Sequence, residues 1–390
     1  MIQKKSRRTI AASHGIATDQ GYGSVVQPLY LSSNFVFPDA ARHPHFDYSR
    51  TANPSRELLA ETLAKLEGGA GAVVTSSGMA AINLVLDLLP IGAGVVAPHD
   101  CYGGTYRLLA ARRDRGQLNV VFVDQTDEGA LLSALVEQTK LVLVETPSNP
   151  VMRVTDLRRV IKMAGVVGAQ VAVDNTFLSP ALQQPITMGA DFVIHSTTKY
   201  LNGHSDVVGG AVIAAKAEAA KRLADWANII GAAGSPFDSY LTLRGIRSLF
   251  TRIERQQESA ASIASFLTEQ AGVTAVHYPG LPSHPGHGIA SSQQAGFGAM
   301  LSFELEGGRD AVDRFLSAIS LFTLAVSLGG VESLVAYPCM MTHSSIGADA
   351  LRTAGITDGL LRLSIGLESE EDLIGDLEIG LAAAAGAAKP

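Results

Sequence analysis

Only two cysteines, Cys101 and Cys339, occur among 390 residues, too few and too far apart for a disulfide framework or a cysteine metal cluster, which fits a reducing compartment. Charge is also sparse. Asp, Glu, Lys and Arg make up 17% of the chain, the net charge is -7, and the longest basic cluster is Lys4, Lys5, Arg7 and Arg8, a balance that argues against a nucleic-acid partner. No apolar run approaches the roughly 20 residues that span a bilayer, and the N-terminal stretch lacks the apolar core of a secretion signal. The expectation is a cytoplasmic protein with no membrane partner. Neither phosphate-loop fingerprint is present: there is no Gly-Lys-Ser/Thr loop, and Gly69-Ala70-Gly71 precedes an apolar strand where a dinucleotide loop would follow one. His284 and His287 lie in a turn-rich segment with no carboxylate or cysteine nearby, so no metal site is expected. Internal repeats, low-complexity blocks and long polar linkers are absent too.

What is abundant is apolar side chain, 47% of the residues, and glycine, 39 of them. A chain of this length and apolar content builds more than one domain, with many tight turns and close backbone approaches. Residues 1–55 are rich in Pro, Ser, Asn and aromatics without sustained period, and read as an arm that packs poorly alone. From Arg56 the pattern is helical, with Leu58, Leu59, Leu63 and Leu66 on one stripe and a stop at Gly68-Gly69. Short β-branched runs then alternate with helical stretches: Ala72–Thr75, Val95–Pro98, Val120–Val123, Leu141–Glu145, Val171–Asp174 and Phe192–His195. These strands read as apolar on both faces, as buried parallel strands are. The middle of the chain, 56–250, is expected to be an α/β doubly wound, mostly parallel sheet. Beyond a long helix around Arg252–Glu269 the rhythm thins, with strands at Met300–Leu305 and Leu361–Ile365, so 251–390 reads as a smaller α+β C-terminal domain.

In an open α/β sheet, ligands bind beyond the carboxyl ends of the strands. Val171-Ala172-Val173 ends in Asp174-Asn175-Thr176, and Phe192-Val193-Ile194 ends in His195-Ser196-Thr197-Thr198-Lys199. Parallel pairing of these strands would put Asp174 and Lys199 on one rim. A lysine directly after an apolar strand loses hydration, which favours the neutral nucleophilic amine, although on position alone such a lysine is more often a surface residue. Ser77-Gly78-Met79 follows a strand and opens a helix whose free N–H groups suit a phosphate, and Ser196 and Thr198 would add hydroxyls; an ordinary strand-to-helix turn has the same look. An acid at Asp174 would keep a pyridine nitrogen protonated, or merely cap a helix. Tyr102, after Ala97-Pro98-His99-Asp100, would stack on a flat ring or pack on the rim.

Together these stretches carry a resemblance. Val173-Asp174-Asn175-Thr176-Phe177 and Ser196-Thr197-Thr198-Lys199-Tyr200-Leu201-Asn202-Gly203-His204 resemble the signature of the Cys/Met-metabolism enzymes that use pyridoxal 5'-phosphate (PLP). Ordered matches run along nearly the whole chain: Tyr48-Ser49-Arg50, Glu67-Gly68-Gly69, Ser77-Gly78-Met79, Tyr102-Gly103-Gly104, Glu145 to Pro150, Ser327-Leu328-Gly329-Gly330 and Arg362-Leu363-Ser364. The resemblance implies the fold type I, aspartate aminotransferase-like architecture of PLP-dependent transferases. It implies that Lys199 carries PLP covalently and shuttles protons, that Asp174 pairs with the pyridinium nitrogen, and that Tyr102 stacks on the ring. Gly78, Met79, Ser196 and Thr198 would hold the phosphate, with Tyr48 and Arg50 reaching it from a neighbouring subunit. Asn149 and Thr176 would lie beside the ring, Arg362 would clamp the substrate α-carboxylate, and Ser327 would orient it. The same resemblance implies a homo-oligomer, a tetramer built as a dimer of dimers, with the N-terminal arm crossing the interface.

Within the family, Pro98 to Leu108 and Phe237 to Leu241 look most like bacterial members that join cysteine to O-succinyl-L-homoserine, giving cystathionine and succinate. Arg107 would then meet the distal succinyl carboxylate. One departure pulls the other way: Val326 stands where many of these members carry glutamate, which resembles methionine γ-lyases and O-succinylhomoserine sulfhydrylases. Gly104, in turn, stands where methionine γ-lyases carry cysteine. Replacement is placed first, sulfhydrylation or γ-elimination of cystathionine or methionine second, then β-elimination, and last a non-catalytic binding protein, which would not need Lys199, Asp174 and Arg362 together.

Overall fold

The computed structural model describes residues 5–341, 351 and 353–386; Lys4 of the basic run lies outside them. Among the described residues the strands are β1 (Gly71–Thr75), β2 (Ala93–Pro98), β3 (Leu118–Val123), β4 (Thr139–Glu145), β5 (Gln170–Asp174), β6 (Phe192–Ser196), β7 (Gly210–Ala214), β8 (Val273–His277), β9 (Met300–Leu305), β10 (Thr323–Leu324), β11 (Leu334–Ala336) and β12 (Leu360–Ser364). The chain divides into two compact units, one of residues 1–91 and 170–250, the other of 92–169 and 251–390.

In the first unit the strands run in the order β1-β7-β6-β5. β5 and β6 are parallel, with Asp174 opposite Ile194, whereas β7 runs antiparallel to both β6 and β1. β6 is buried along Phe192, Val193, Ile194 and His195, so its sequence is apolar apart from one histidine that needs a partner. The helix Pro54–Glu67 starts where the Asn53 side chain accepts from the N–H groups of Ser55 and Arg56, and stops at Gly68, whose φ of 78° suits a residue without a Cβ. Its predicted stripe, Leu58, Leu59, Leu63 and Leu66, is buried. The helix Gly78–Leu86 is capped by the Ser77 side chain, which accepts from Ala80 N–H. Ahead of these elements, residues 14–53 are irregular and leave Tyr22, Leu31 and Val36 largely exposed.

The second unit holds β4-β2-β3, all parallel, and a separate sheet in the order β10-β11-β12-β9-β8. The helices Gly308–Ala318 and Glu370–Ala384 pack on each other at Gly380, where a Cβ would come within 2.6 Å of the Phe315 ring. Buried Gln256 donates to the carbonyls of Gly330 and Ile365, fixing the turn after Ser327 to the end of β12.

The expected class, a mostly parallel α/β arrangement with a smaller α+β part, is what the chain adopts. Two expectations need correction. β3 is not buried on both faces: Asn119 and Val121 are exposed because it ends its run of strands, with one long edge unpaired within the unit. β7 escaped notice because Val207-Val208-Gly209-Gly210 reads as a loop. Its glycine is steric: a Cβ at Gly210 would lie 2.1 Å from the Ser77 carbonyl oxygen.

Candidate active site

In the first unit the parallel pairing of β5 and β6 puts Asp174 and the segment Ser196 to Lys199 at the same end of adjacent strands. Thr176 ties them together: its N–H donates to Asp174 Oδ1 at 3.0 Å, and its hydroxyl oxygen accepts from Ser196 N–H at 2.9 Å. Burial pushes the Asp174 carboxyl above the ordinary carboxylate range, opposed by the bonds from Thr176 and by the nearby His195. A cationic ring nitrogen placed there would restore the anion.

The helix Gly78–Leu86 begins against Ser196. A Cβ at Gly78 would fall 2.8 Å from Ser196 Cβ, so only glycine lets the helix start approach this closely. Since Ala80 and Ala81 N–H bond Ser77, the N–H groups of Gly78 and Met79 precede the helix's own bonds beside the Ser196 side chain. Thr198 is differently placed. Its hydroxyl donates to Gly209 O at 3.2 Å and accepts from Gly209 N–H at 3.0 Å, so its single proton must leave that carbonyl to reach an anion. A glycine cradle at a helix start together with a half-buried acid on the adjacent strand fits a phosphorylated pyridine cofactor.

Tyr48 and Arg50 lie in the irregular N-terminal stretch, with Tyr48 48% exposed. The Arg50 guanidinium sits 5.6 Å from the Tyr48 ring and is held by the carbonyl and side chain of Asn228 at 2.7 and 2.6 Å. Asn228 had no sequence signal, because its partner is 178 residues away.

In the second unit Glu145, at the end of β4, accepts from two predicted site residues at once: Tyr102 N–H at 2.9 Å and Asn149 N–H at 3.2 Å. This hub was visible in the sequence only as part of a motif. Tyr102 is 40% exposed and precedes the helix Gly103–Asp114, which also carries the exposed Arg107. Arg362, on β12, is buried and donates to Asn149 Oδ1 at 2.8 Å and to the Ser327 carbonyl at 2.7 Å. Ser327 adopts a φ of 89°, rare for a residue with a side chain and a mark of backbone held for a purpose. Val326 beside it is 59% exposed. Cys101 is buried, in keeping with a packed side chain, and no group of metal-ligating residues occurs among the described residues. No helix among them is long and apolar enough to cross a membrane.

Fold and strand-end residues together define a PLP-dependent enzyme. Residues 8–382 match the model of the Cys/Met metabolism PLP-dependent enzymes, and the chain belongs to that family, with PLP as its cofactor. The chain is 53% identical over 381 residues to cystathionine gamma-synthase of Escherichia coli strain K12, covering 97% of this chain and 99% of the relative. It is 44% identical over 371 residues to cystathionine gamma-lyase of Bacillus subtilis strain 168, covering 95% and 98%. A crystal structure of cystathionine gamma synthase from Xanthomonas oryzae pv. oryzae, in complex with aminoacrylate and cysteine, superposes with a TM-score of 0.97 at 55% identity, covering 98% of this chain and all of that one.

Proposed function

We propose that the protein catalyses γ-replacement on O-succinyl-L-homoserine, with L-cysteine as the thiol, to give cystathionine and succinate. The observation that carries this reading is the identity of 53% and 55% with two γ-synthases; at 44% identity γ-synthases, a γ-lyase and β-lyases occur together, so that level alone does not discriminate. When bound, PLP supplies an electron sink that acidifies the substrate's Cα and then Cβ hydrogens. The chain's residues do the rest. Lys199 would hold the cofactor, and its amine, on a flexible stem long enough to reach both carbons, would move protons at Cα and Cβ of the substrate. Asp174, oriented by the Thr176 N–H, would keep a ring nitrogen protonated, and Tyr102 would stack on the ring.

Gly78, Met79, Ser196 and Thr198 would hold the phosphate within the subunit, and Tyr48 and Arg50 would complete it from a neighbour. Arg362, oriented by Asn149 and Ser327, would grip the α-carboxylate with its planar fork. Arg107, exposed four residues after the start of its helix, would meet the distal succinate carboxylate. The assembly this requires is at least a dimer, and we infer a cytoplasmic tetramer of two dimers, divided into an arm (1–55), a PLP-binding domain (56–250) and a C-terminal domain (251–390).

Val326 supports a second reading, elimination or sulfhydrylation, because an exposed valine replaces a carboxylate that would select an amine. Cystathionine offered alone separates them. The replacement reading expects slow release of 2-oxobutyrate relative to succinate release from O-succinyl-L-homoserine plus cysteine. Cystathionine cleavage as fast as that replacement would overturn it in favour of the γ-lyase.

A further inference from the structure

The loops that follow β2 and β4 in the second unit hold each other through carboxylates. Glu145, the last residue of β4, is buried and reaches the loop after β2. Its Oε2 accepts from Tyr102 N–H at 2.9 Å, while its Oε1 accepts from Asn149 N–H, in its own loop, at 3.2 Å. Asp100, two residues past β2, is buried as well and reaches the other way. Its Oδ2 accepts from the Ser148 hydroxyl at 2.7 Å and from Arg153 Nη1 at 3.3 Å. The bonds therefore cross, the acid from each strand end gripping the loop of the other. The loop after β4 also closes on itself, Ser148 N–H donating to the Arg153 carbonyl at 2.9 Å.

Packing alone does not ask for this. A buried carboxylate is costly to desolvate, and two loop N–H groups can be satisfied by a hydroxyl, an amide or a water at lower cost. What a carboxylate adds is geometry: two acceptor oxygens joined rigidly, so that N–H groups of two separate loops are held at one spacing. The residues at that spacing are the ones proposed to touch cofactor and substrate. Tyr102 opens the helix Gly103–Asp114 without a side-chain cap, so its backbone is placed by that helix and by Glu145. Asn149 is buried, and its Oδ1 accepts from Arg362 Nη1 at 2.8 Å, which makes it the link between Glu145 and the guanidinium. One chain of bonds runs from Tyr102 through Glu145 and Asn149 to Arg362.

We propose that Glu145 is a positioning residue that sets the ring-stacking Tyr102 and the carboxylate-gripping Arg362 relative to each other, with Asp100, through Ser148, bracing the same two loops. The inference rests on the roles given to Tyr102 and Arg362 in the proposed function. The Arg362 fork is aimed by two acceptors together, Asn149 Oδ1 and the Ser327 carbonyl. Releasing the Asn149 backbone lets one prong swing, which weakens a grip that needs two N–H groups in the plane of the substrate carboxylate.

The test is Glu145→Gln in the full PLP-loaded enzyme. The amide keeps the size of the side chain but has one acceptor oxygen, which retains the shorter bond to Tyr102 and leaves the NH2 facing Asn149 N–H. Expected is a KM for O-succinyl-L-homoserine raised about tenfold, the scale of one lost charge-assisted hydrogen bond, with kcat and the PLP dissociation constant within about twofold. A PLP dissociation constant raised about tenfold with KM unchanged supports the same role through Tyr102, the amide having turned the other way. Both constants within about twofold of the wild type overturn the proposal. In an Arg362→Lys background the change should add less than about twofold to KM, because links of one chain are not additive, whereas a general loosening of the fold would add its full effect and overturn the proposal. If Glu145→Gln does not fold, Ser148→Ala, which removes only the Asp100 brace, is expected to raise KM roughly 3- to 10-fold with PLP binding unchanged, and a wild-type KM overturns the proposal. Should the wild type not turn over the succinyl ester, the proposed reaction fails and KM is read with cystathionine, so the inference is tested whichever reaction the enzyme runs. Arg362→Lys alone separates the levels: a wild-type KM there defeats the role of Arg362, while a raised KM there beside a wild-type Glu145→Gln defeats only this inference.

Discussion

Gly78→Ala tests the phosphate cradle with a single methyl group. The added carbon would sit 2.8 Å from Ser196 Cβ, against the 3.4 Å at which ordinary contact begins, so the helix start and the end of β6 must part by about 0.6 Å. Forcing an extra methyl into a packed contact costs about 1–3 kcal/mol, while alanine's better helix propensity returns up to about 1 kcal/mol. The apo-protein should therefore lose no more than about 3 kcal/mol. Cofactor binding should suffer more, because N–H to oxygen bonds are formed at about 2.7–3.2 Å and the retreat takes them beyond that range. A hydrogen bond to a charged group is worth about 1.5–3 kcal/mol, so losing one raises the PLP dissociation constant roughly 10- to 100-fold. Titrating PLP into the apo-protein while following visible absorption, beside urea unfolding of the same sample, reads both quantities. A folded Gly78→Ala protein that binds PLP as tightly as the wild type would refute the cradle.

Lys199→Ala is expected to leave a folded protein, by circular dichroism, that turns over no O-succinyl-L-homoserine; appreciable turnover by the pure variant sinks the lysine's role. Arg362→Lys keeps the charge but cannot make both the Asn149 and Ser327 bonds while presenting a fork, so KM for the amino-acid substrate should rise roughly 10- to 100-fold with PLP affinity unchanged. His284 is pushed down to about 4 by burial and by the neighbouring His277 and His287, and its Nδ1 accepts from Gly286 N–H, a bond only the unprotonated nitrogen makes. The unfolded histidine, near 6.5, binds its proton first, so this contribution to stability is complete above pH 6.5 and is lost as pH falls toward 4. Urea midpoints across that window should decline less steeply in His284→Gln, and an unchanged slope would show that another group governs the acid limb.

Local signals carried most of the fold. The stripe from Leu58 to Leu66 and its glycine stop mark a helix without any tertiary knowledge, and β5 and β6 show as short β-branched runs ending in polar residues. β7 was hidden because Gly210 answers to Ser77, more than a hundred residues earlier, and a glycine demanded by a distant backbone looks like a turn glycine in one dimension. β3 misled for a related reason: its exposed Val121 is apolar, and exposure at the end of a sheet is a property of the whole fold. Within the site, residues tied to a strand end or helix start, such as Asp174, Lys199 and Gly78, were legible. The second layer was not. Glu67 read only as the residue before a helix stop and as one member of a motif, with no role given, yet it bonds Asn175 and His195, 108 and 128 residues away. Asn228 holds Arg50 across 178 residues, and Glu145 holds Tyr102 across 43.

The most direct test of γ-replacement is to incubate the PLP-loaded protein with O-succinyl-L-homoserine, with and without L-cysteine, and to quantify cystathionine and 2-oxobutyrate in the same samples. The account predicts cystathionine as the dominant product when cysteine is present, with 2-oxobutyrate suppressed as cysteine rises. Formation of 2-oxobutyrate indifferent to cysteine, or no reaction with this ester, would contradict it.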